Sequence, residues 1–426
     1  MILGVLLLAC TNESPSLTDD LAEIINATSW EGPLDAKYGT DVALSSAGDQ
    51  VLVTAPERLD ASSSNAWLVP SDDGGGKVHE RATAWFVGTG SGWGYTAVLD
   101  DVDGDDADDV LLMGSALNNL SFSGDSGAYL FAGPHEGEYT SYDLDNLWSH
   151  SSNFTYANAA SVGDVDGDGD HDLLMYFRPN PTGDVSGVAV FQGPVTEVNK
   201  IHDYLLTRPG DDALGWNFET AQLDDDPELE VLAMAVAVAQ VWALDAGPDN
   251  VEVASHGRML HQAPDPLGTE YAGQSLASGA FTDHTGPSVS VGSPGWGERG
   301  GRIDLYEMDG VEGTWVAGIS ASQPGRFFAN AQCMADFNGD GVDDLAVGAT
   351  GDPYGAEILP GRVYIFEGPI PPGEHVAEDL AARILRVSDH ADAFGYALAC
   401  DDGRIFATAR YEAEGRGLFR LDDLAW

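Results

Sequence analysis

Apolar residues in this chain fall in short runs cut off by glycine, proline or acidic residues. Examples are QVLVTAP at 50–56, VLLMGS at 110–115, AYLFAG at 128–133, VAVFQG at 188–193 and RVYIFEG at 362–368. Runs of this kind, rich in branched and aromatic residues and bounded by turn formers, predict buried strands. Long stretches with a 3.6-residue apolar period are hard to find, and the 52 glycines point to many turns. The pattern predicts an all-β protein.

The runs recur in register. Seven times an aromatic or apolar residue is followed by a small one: Tyr38-Gly39, Trp93-Gly94, Tyr156-Ala157, Leu214-Gly215, Ala272-Gly273, Phe328-Ala329 and Phe394-Gly395. A strand follows each pair, then an acidic loop or a shortened turn, then a second strand. That second strand often ends in a small triplet, as at Thr54-Ala55-Pro56, Gly292-Ser293-Pro294 and Val347-Gly348-Ala349. A variable loop leads to a third strand ending in Gly-Pro (LFAGP, VFQGP, ALDAGP, IFEGP), where proline and glycine stop the strand and start a turn. A fourth strand precedes the next pair.

This repeat resembles the FG-GAP repeat found in the integrin α-subunit head and in many bacterial surface proteins, and the resemblance runs over residues 21–426. It implies a seven-bladed β-propeller of four-stranded antiparallel blades. The ends of the chain imply how it closes. LTDDLAEIINATSWEGPLDAKYG at 17–39 is similar to AEDLAARILRVSDHADAFG at 377–395, and the chain stops after the third strand of repeat seven. Residues 21–29 are therefore expected to complete the last blade by pairing with 416–422, leaving no raw sheet edge at the seam.

Three acidic loops join first and second strands: DVDGDDADD at 101–109, DVDGDGDHD at 164–172 and DFNGDGVDD at 336–344. Oxygen side chains at loop positions 1, 3, 5 and 9, with a carbonyl at position 7, are a wrapping pattern for Ca²⁺, which takes six to eight oxygens at roughly 2.3–2.6 Å. The candidate ligands are Asp101, Asp103, Asp105, Ala107 and Asp109 in the first loop. In the second they are Asp164, Asp166, Asp168, Asp170 and Asp172, and in the third Asp336, Asn338, Asp340, Val342 and Asp344. Gly104, Gly167 and Gly339 permit the sharp turn; at the second flexible position the first loop has Asp106 where the others have Gly169 and Gly341. The FG-GAP resemblance assigns the same oxygens. About three Ca²⁺ ions are expected, in a structural role. In repeat four, QLDDDPELE offers Gln222, Asp224, Asp226 and Glu230 in register, but Pro227 fixes φ near −65° and works against the loop shape. Repeats one, five and seven have shortened turns and are expected to be empty.

The formal charge of −52 repels nucleic acid and anionic lipid headgroups, which excludes both as direct partners. Cys10 ends the run MILGVLLLAC, and Leu7-Leu8-Ala9-Cys10 resembles a bacterial lipobox, although no basic n-region precedes it. Residues 1–10 are then a signal with Cys10 as the lipidated residue, and 11–20 a polar tether. An ordinary export signal or a plain apolar terminus is the alternative. The expected location is exported, either as a surface lipoprotein or secreted, with membrane contact only through that anchor. Cys333 and Cys400 fall in equivalent strands of the last two repeats, one residue out of phase, so they can meet as a disulfide or stay as two buried thiols.

No catalytic constellation is evident: no G-x-S-x-G elbow, P-loop or HExxH. His256 and His261 read as surface polar residues. The expected function is that of a monomeric, calcium-binding surface propeller for adhesion or protein or glycan interaction, and the alternative is a calcium-dependent polysaccharide lyase or hydrolase on the same scaffold. Recognition is expected on the variable loops joining second and third strands, where Phe122, Trp296 and Tyr354 are candidate contacts.

Overall fold

A computed structural model describes residues 22–421 apart from 26, 33–37, 57–65, 89–93, 95, 114–126, 141–142, 150–153, 180–185, 197–201, 209–212, 247–250, 253–256, 265–270, 283–285, 352–359, 388–392, 402 and 411–415. Cys10, Phe122 and Tyr354 lie outside the described residues, as do 1–21, most of the second-to-third-strand loops and His256.

The strands form seven sheets, one per repeat. In blade six, Phe328–Ala335, Asp344–Ala349, Arg362–Phe366 and Arg383–Arg386 pair antiparallel in succession. The other blades repeat this meander. First strands contact first strands around a closed ring: Val42–Leu44, Thr96–Asp100, Phe154–Gly163, Leu214–Ala221, Ser275–Gly279, Phe328–Ala335, Phe394–Asp401 and back to Val42–Leu44. The chain is a seven-bladed β-propeller with the first strands around its axis.

The hydrophobic core is correspondingly divided, with one apolar layer in each gap between blades. Val102, Leu111, Met113, Leu173, Met175 and Phe191 fill the gap between blades two and three, and equivalent clusters fill the other six gaps. In blades one, six and seven the aromatic of the repeat pair wedges against the preceding blade. Tyr38 packs in the layer between blades seven and one, Phe328 in that between five and six, and Phe394 in that between six and seven. Its small neighbour abuts the preceding blade's third strand. At Gly39, φ is +81° and a Cβ would lie 2.5 Å from the Gly417 carbonyl oxygen; at Gly395, φ is +83° and the Arg362 oxygen would lie at 2.6 Å. Sterics of this kind admit only glycine comfortably.

The sheets differ from the expected four strands by an addition. Five of them carry a short fifth strand laid parallel on the outer edge. It comes from the connection after the third strand of the following blade in Gly76–Lys77, Gly137–Thr140, Val251–Glu252 and Gly373–Val376. The N-terminal residues fit this scheme. Thr28–Glu31 pairs antiparallel with Arg416–Leu421 as the fourth strand of blade seven, and Glu23–Ile24 pairs parallel with Arg383–Arg386 of blade six. The pairing expected for 21–29 is thus divided between two blades. Covering these five outer edges with a further strand satisfies exposed backbone groups and ties neighbours together.

Cys333 and Cys400 are joined in a disulfide between the first strands of blades six and seven, with Cα atoms 6.0 Å apart.

Candidate metal centre

Each acidic loop starts where a first strand ends, and position 9 begins the second strand. Position 2 is apolar and buried as an anchor: Val102, Val165 and Phe337. The loop is then folded by its own carboxylates. At position 1, Asp101, Asp164 and Asp336 each accept the amide of the following glycine, Gly104, Gly167 or Gly339, at 2.7 Å. They also accept the position-6 amide at 2.8–2.9 Å. At position 5, Asp105, Asp168 and Asp340 accept the position-7 amide at 2.9–3.0 Å. Asp106, at the flexible position of the first loop, takes φ of 68° like the glycines it replaces; aspartate tolerates this left-handed region better than most residues.

Position 9 is buried and doubly held. One carboxylate oxygen of Asp109, Asp172 and Asp344 accepts the position-2 amide at 3.0 Å. The other accepts an amide from the Gly-Pro that ends the third strand, at 2.8 Å from Gly133 and 2.9 Å from Gly193 and Gly368. In these three blades the Gly-Pro peptide is cis. The sequence marked Gly-Pro only as a strand stop, and no local signal tied it to the loop.

These bonds leave carboxylates crowded together. Oxygens of Asp101, Asp103 and Asp109 lie within 4.8 Å of one another, as do those of Asp164, Asp166 and Asp172. Burial pushes Asp109 up to about 7 and Asp172 up to about 6, and raises Asp344. Backbone amides at Gly341, Gly339 and Asp340 instead hold Asp336 below the usual carboxylate range. Among the described residues no Lys or Arg forms an ion pair with these acids. Asp103 Oδ1 is buried with no hydrogen-bond partner in the structure. Hard oxygen donors, an orphaned carboxylate oxygen and no competing cation fit a hard divalent ion.

Blade four departs as its sequence suggested, and in an instructive way. Oxygens of Asp224, Asp226 and Glu230 come within 4.8 Å despite Pro227, and Glu230 accepts the Leu223 amide at 2.8 Å as its counterparts do. Gln222, at position 1, turns inward instead: its amide donates to the Asp226 carbonyl at 2.6 Å and its oxygen accepts the Asp224 amide at 3.1 Å.

Neighbouring loops form a belt on this face. Ser46 of blade one bonds Asp108, His171 of blade three bonds Asp100 at 3.2 Å, and the Leu229 amide of blade four donates to the Asp164 carbonyl at 2.9 Å. His171 faces the adjacent blade, not its own loop.

On the opposite face, where second strands end, Trp296 is half-buried with the Arg302 guanidinium 5.1 Å from its ring centre. His261, read from sequence as a surface residue, is buried and bonded to the Tyr306 hydroxyl at 2.9 Å. The period-2 alternation from exposed Met259 is broken by a bulge, where the register steps from Trp242 opposite Met259 to Val241 opposite His261.

Residues 328–366, spanning the first three strands of blade six and its acidic loop, match the family described as FG-GAP repeat. Blade six carries an FG-GAP repeat. This propeller is 31% identical over 130 residues to integrin alpha-4 of Xenopus laevis, which is 30% of this chain and 12% of that protein. It is 37% identical over 107 residues to integrin alpha-X of Mus musculus, 23% of this chain and 9% of that protein. The chain thus aligns with about a tenth of the length of these curated relatives. Among solved structures it is similar to the rhamnogalacturonan lyase YesW, at 13% identity and a TM-score of 0.37 over 93% of this chain and 68% of that one. Among the described residues no helix is long and apolar enough to cross a membrane.

Proposed function

We propose that this FG-GAP propeller is a calcium-braced recognition module without catalytic activity, mediating adhesion or another protein or glycan interaction outside the cell. The observation that carries the reading is the threefold recurrence of one loop fold, in which a buried position-9 carboxylate is held by two amides, with carboxylates converging in the first two loops and no basic side chain among the described residues to offset them. The side-chain oxygens of Asp101, Asp103, Asp105 and Asp109 would hold one ion, with the Ala107 carbonyl. The equivalent groups at 164–172 and 336–344 would hold two more. Calcium in these loops would neutralise the carboxylates and stiffen the belt that joins neighbouring blades. A scaffold braced on one face leaves the other for recognition, and Trp296 is assigned to that face. Similarity to integrin α-subunits supports a protein ligand, and lipidation at Cys10 would keep the module at the surface.

The test is a pulldown from native cell envelope with the propeller as bait, in calcium and in chelator. Saturable, calcium-dependent capture of a defined protein or glycan is expected. Capture that ignores calcium, or turnover of acidic or neutral glycans by the propeller alone, would overturn the reading.

A further inference from the structure

First strands from all seven blades line one open cavity of about 640 Å³ at the end of the axis where the aromatic–small pairs lie, away from the acidic loops. That size is in the usual range for small-molecule sites. Among the described residues two carboxylates line it, Asp41 from blade one and Glu219 from blade four, and no Lys, Arg or His does. In a ring of seven, these blades stand as far apart as two blades can.

Each acid is anchored by the fold. Asp41 accepts its neighbour Val42's amide at 3.0 Å and the Ala97 amide of blade two at 2.8 Å. Glu219 accepts the Ser278 hydroxyl of blade five at 3.2 Å. A carboxylate has about four acceptor sites, so both keep capacity toward the cavity. Burial pushes both up to about 7, because desolvation disfavours the ionised form; a cation bound in the cavity would restore it. The remaining lining includes the half-buried indole of Trp216 and the apolar side chains of Leu276 and Leu398.

We propose that this channel mouth binds a linear diamine or polyamine, one ammonium group on Asp41, another on Glu219, and the methylene spacer against Trp216, Leu276 and Leu398. Two acids on opposite blades suit two separate cationic groups better than one metal ion, which needs six to eight converging oxygens. An indole offers an ammonium group a favourable face, and the net charge of −52 draws cations toward the mouth. The inference deepens the reading of this face as the recognising one, and its failure would leave calcium-dependent capture of a macromolecule untouched.

The experiment is titration calorimetry of the calcium-loaded propeller with putrescine and cadaverine, with butylamine as control, at roughly 0.15 M salt to screen the acidic surface. Saturable one-to-one binding of a diamine is expected, about tenfold or more tighter than butylamine. Glu219→Gln and Trp216→Leu, which leave the Asp41 tie between blades intact, should each weaken it about tenfold. Asp41→Asn should do the same if it folds. Equal binding of diamine and monoamine, undiminished binding in Glu219→Gln and Trp216→Leu, or no saturation by about 10 mM would overturn the proposal. Undiminished binding in the variants would mark non-specific attraction to the acidic surface.

Discussion

The amide of Gly133 donates to Oδ1 of Asp109 across 2.8 Å, so the end of one blade's third strand holds the last carboxylate of its acidic loop. The site is held tightly: a Cβ at Gly133 would lie 2.5 Å from the Asp108 carbonyl oxygen, and one at Gly368 would lie 2.3 Å from that of Asp343. Gly133→Ala and Gly368→Ala should each cost about 1–3 kcal/mol of stability, as forced steric conflicts in packed turns do. Each should also weaken calcium at its own loop. Chemical denaturation and calcium titration check this, and parental values for both would show that the clasp is incidental.

Calcium should raise the melting temperature well above its value in chelator. Ligand at a hundred times its dissociation constant adds about 2.7 kcal/mol for one site, and three loops share the geometry. Asp344→Asn and Asp172→Asn, which remove the charge and leave only one of the two amide-holding oxygens of each carboxylate as an acceptor, should each lower the calcium count by one. Direct metal analysis of dialysed protein reads this. Magnesium should substitute poorly, because it keeps its waters and demands a stricter octahedron.

The fold and its acidic loops were legible because both rest on local chemistry. Tyr38-Gly39 and Phe394-Gly395 announce themselves through a steric need that only a small residue meets, and the alternating oxygens of Asp164 to Asp172 follow from the turn they fold. What was not legible depends on partners remote in sequence. Gly76–Lys77 and Val251–Glu252 are two-residue strands with no alternation to detect, defined only by the blade they cover. Trp296 reads as a free loop aromatic because the residue beneath it, Arg302, lies on the next strand. The inward turn of Gln222 needs three-dimensional knowledge of the Asp226 carbonyl.

The Cys333–Cys400 disulfide staples the first strands of the last two blades. Cys333→Ser or Cys400→Ser should lower stability by about 2–4 kcal/mol, the usual worth of a native disulfide. Peptide mapping without reductant should recover the two cysteines in one linked species. Two free thiols in exported protein would contradict it.

The pH dependence of stability should separate two opposed groups of residues. Asp41 and Glu219 titrate near 7 when folded because of burial, against about 4 in an unfolded chain. The folded state therefore holds more protons between those values, and stability falls as pH rises through that window. His261 behaves in the opposite sense. Burial lowers its folded value despite the nearby Asp304, so the unfolded state takes up the proton first and stability falls as pH drops below about 6.5. From about pH 7 to 8 His261 is largely neutral in both states, which leaves the acids to act. Calcium-loaded protein should melt at progressively lower temperature across that interval, and the Asp41→Asn/Glu219→Gln double variant should show a distinctly shallower decline. Parallel curves for parent and double variant would place the titration elsewhere in the molecule.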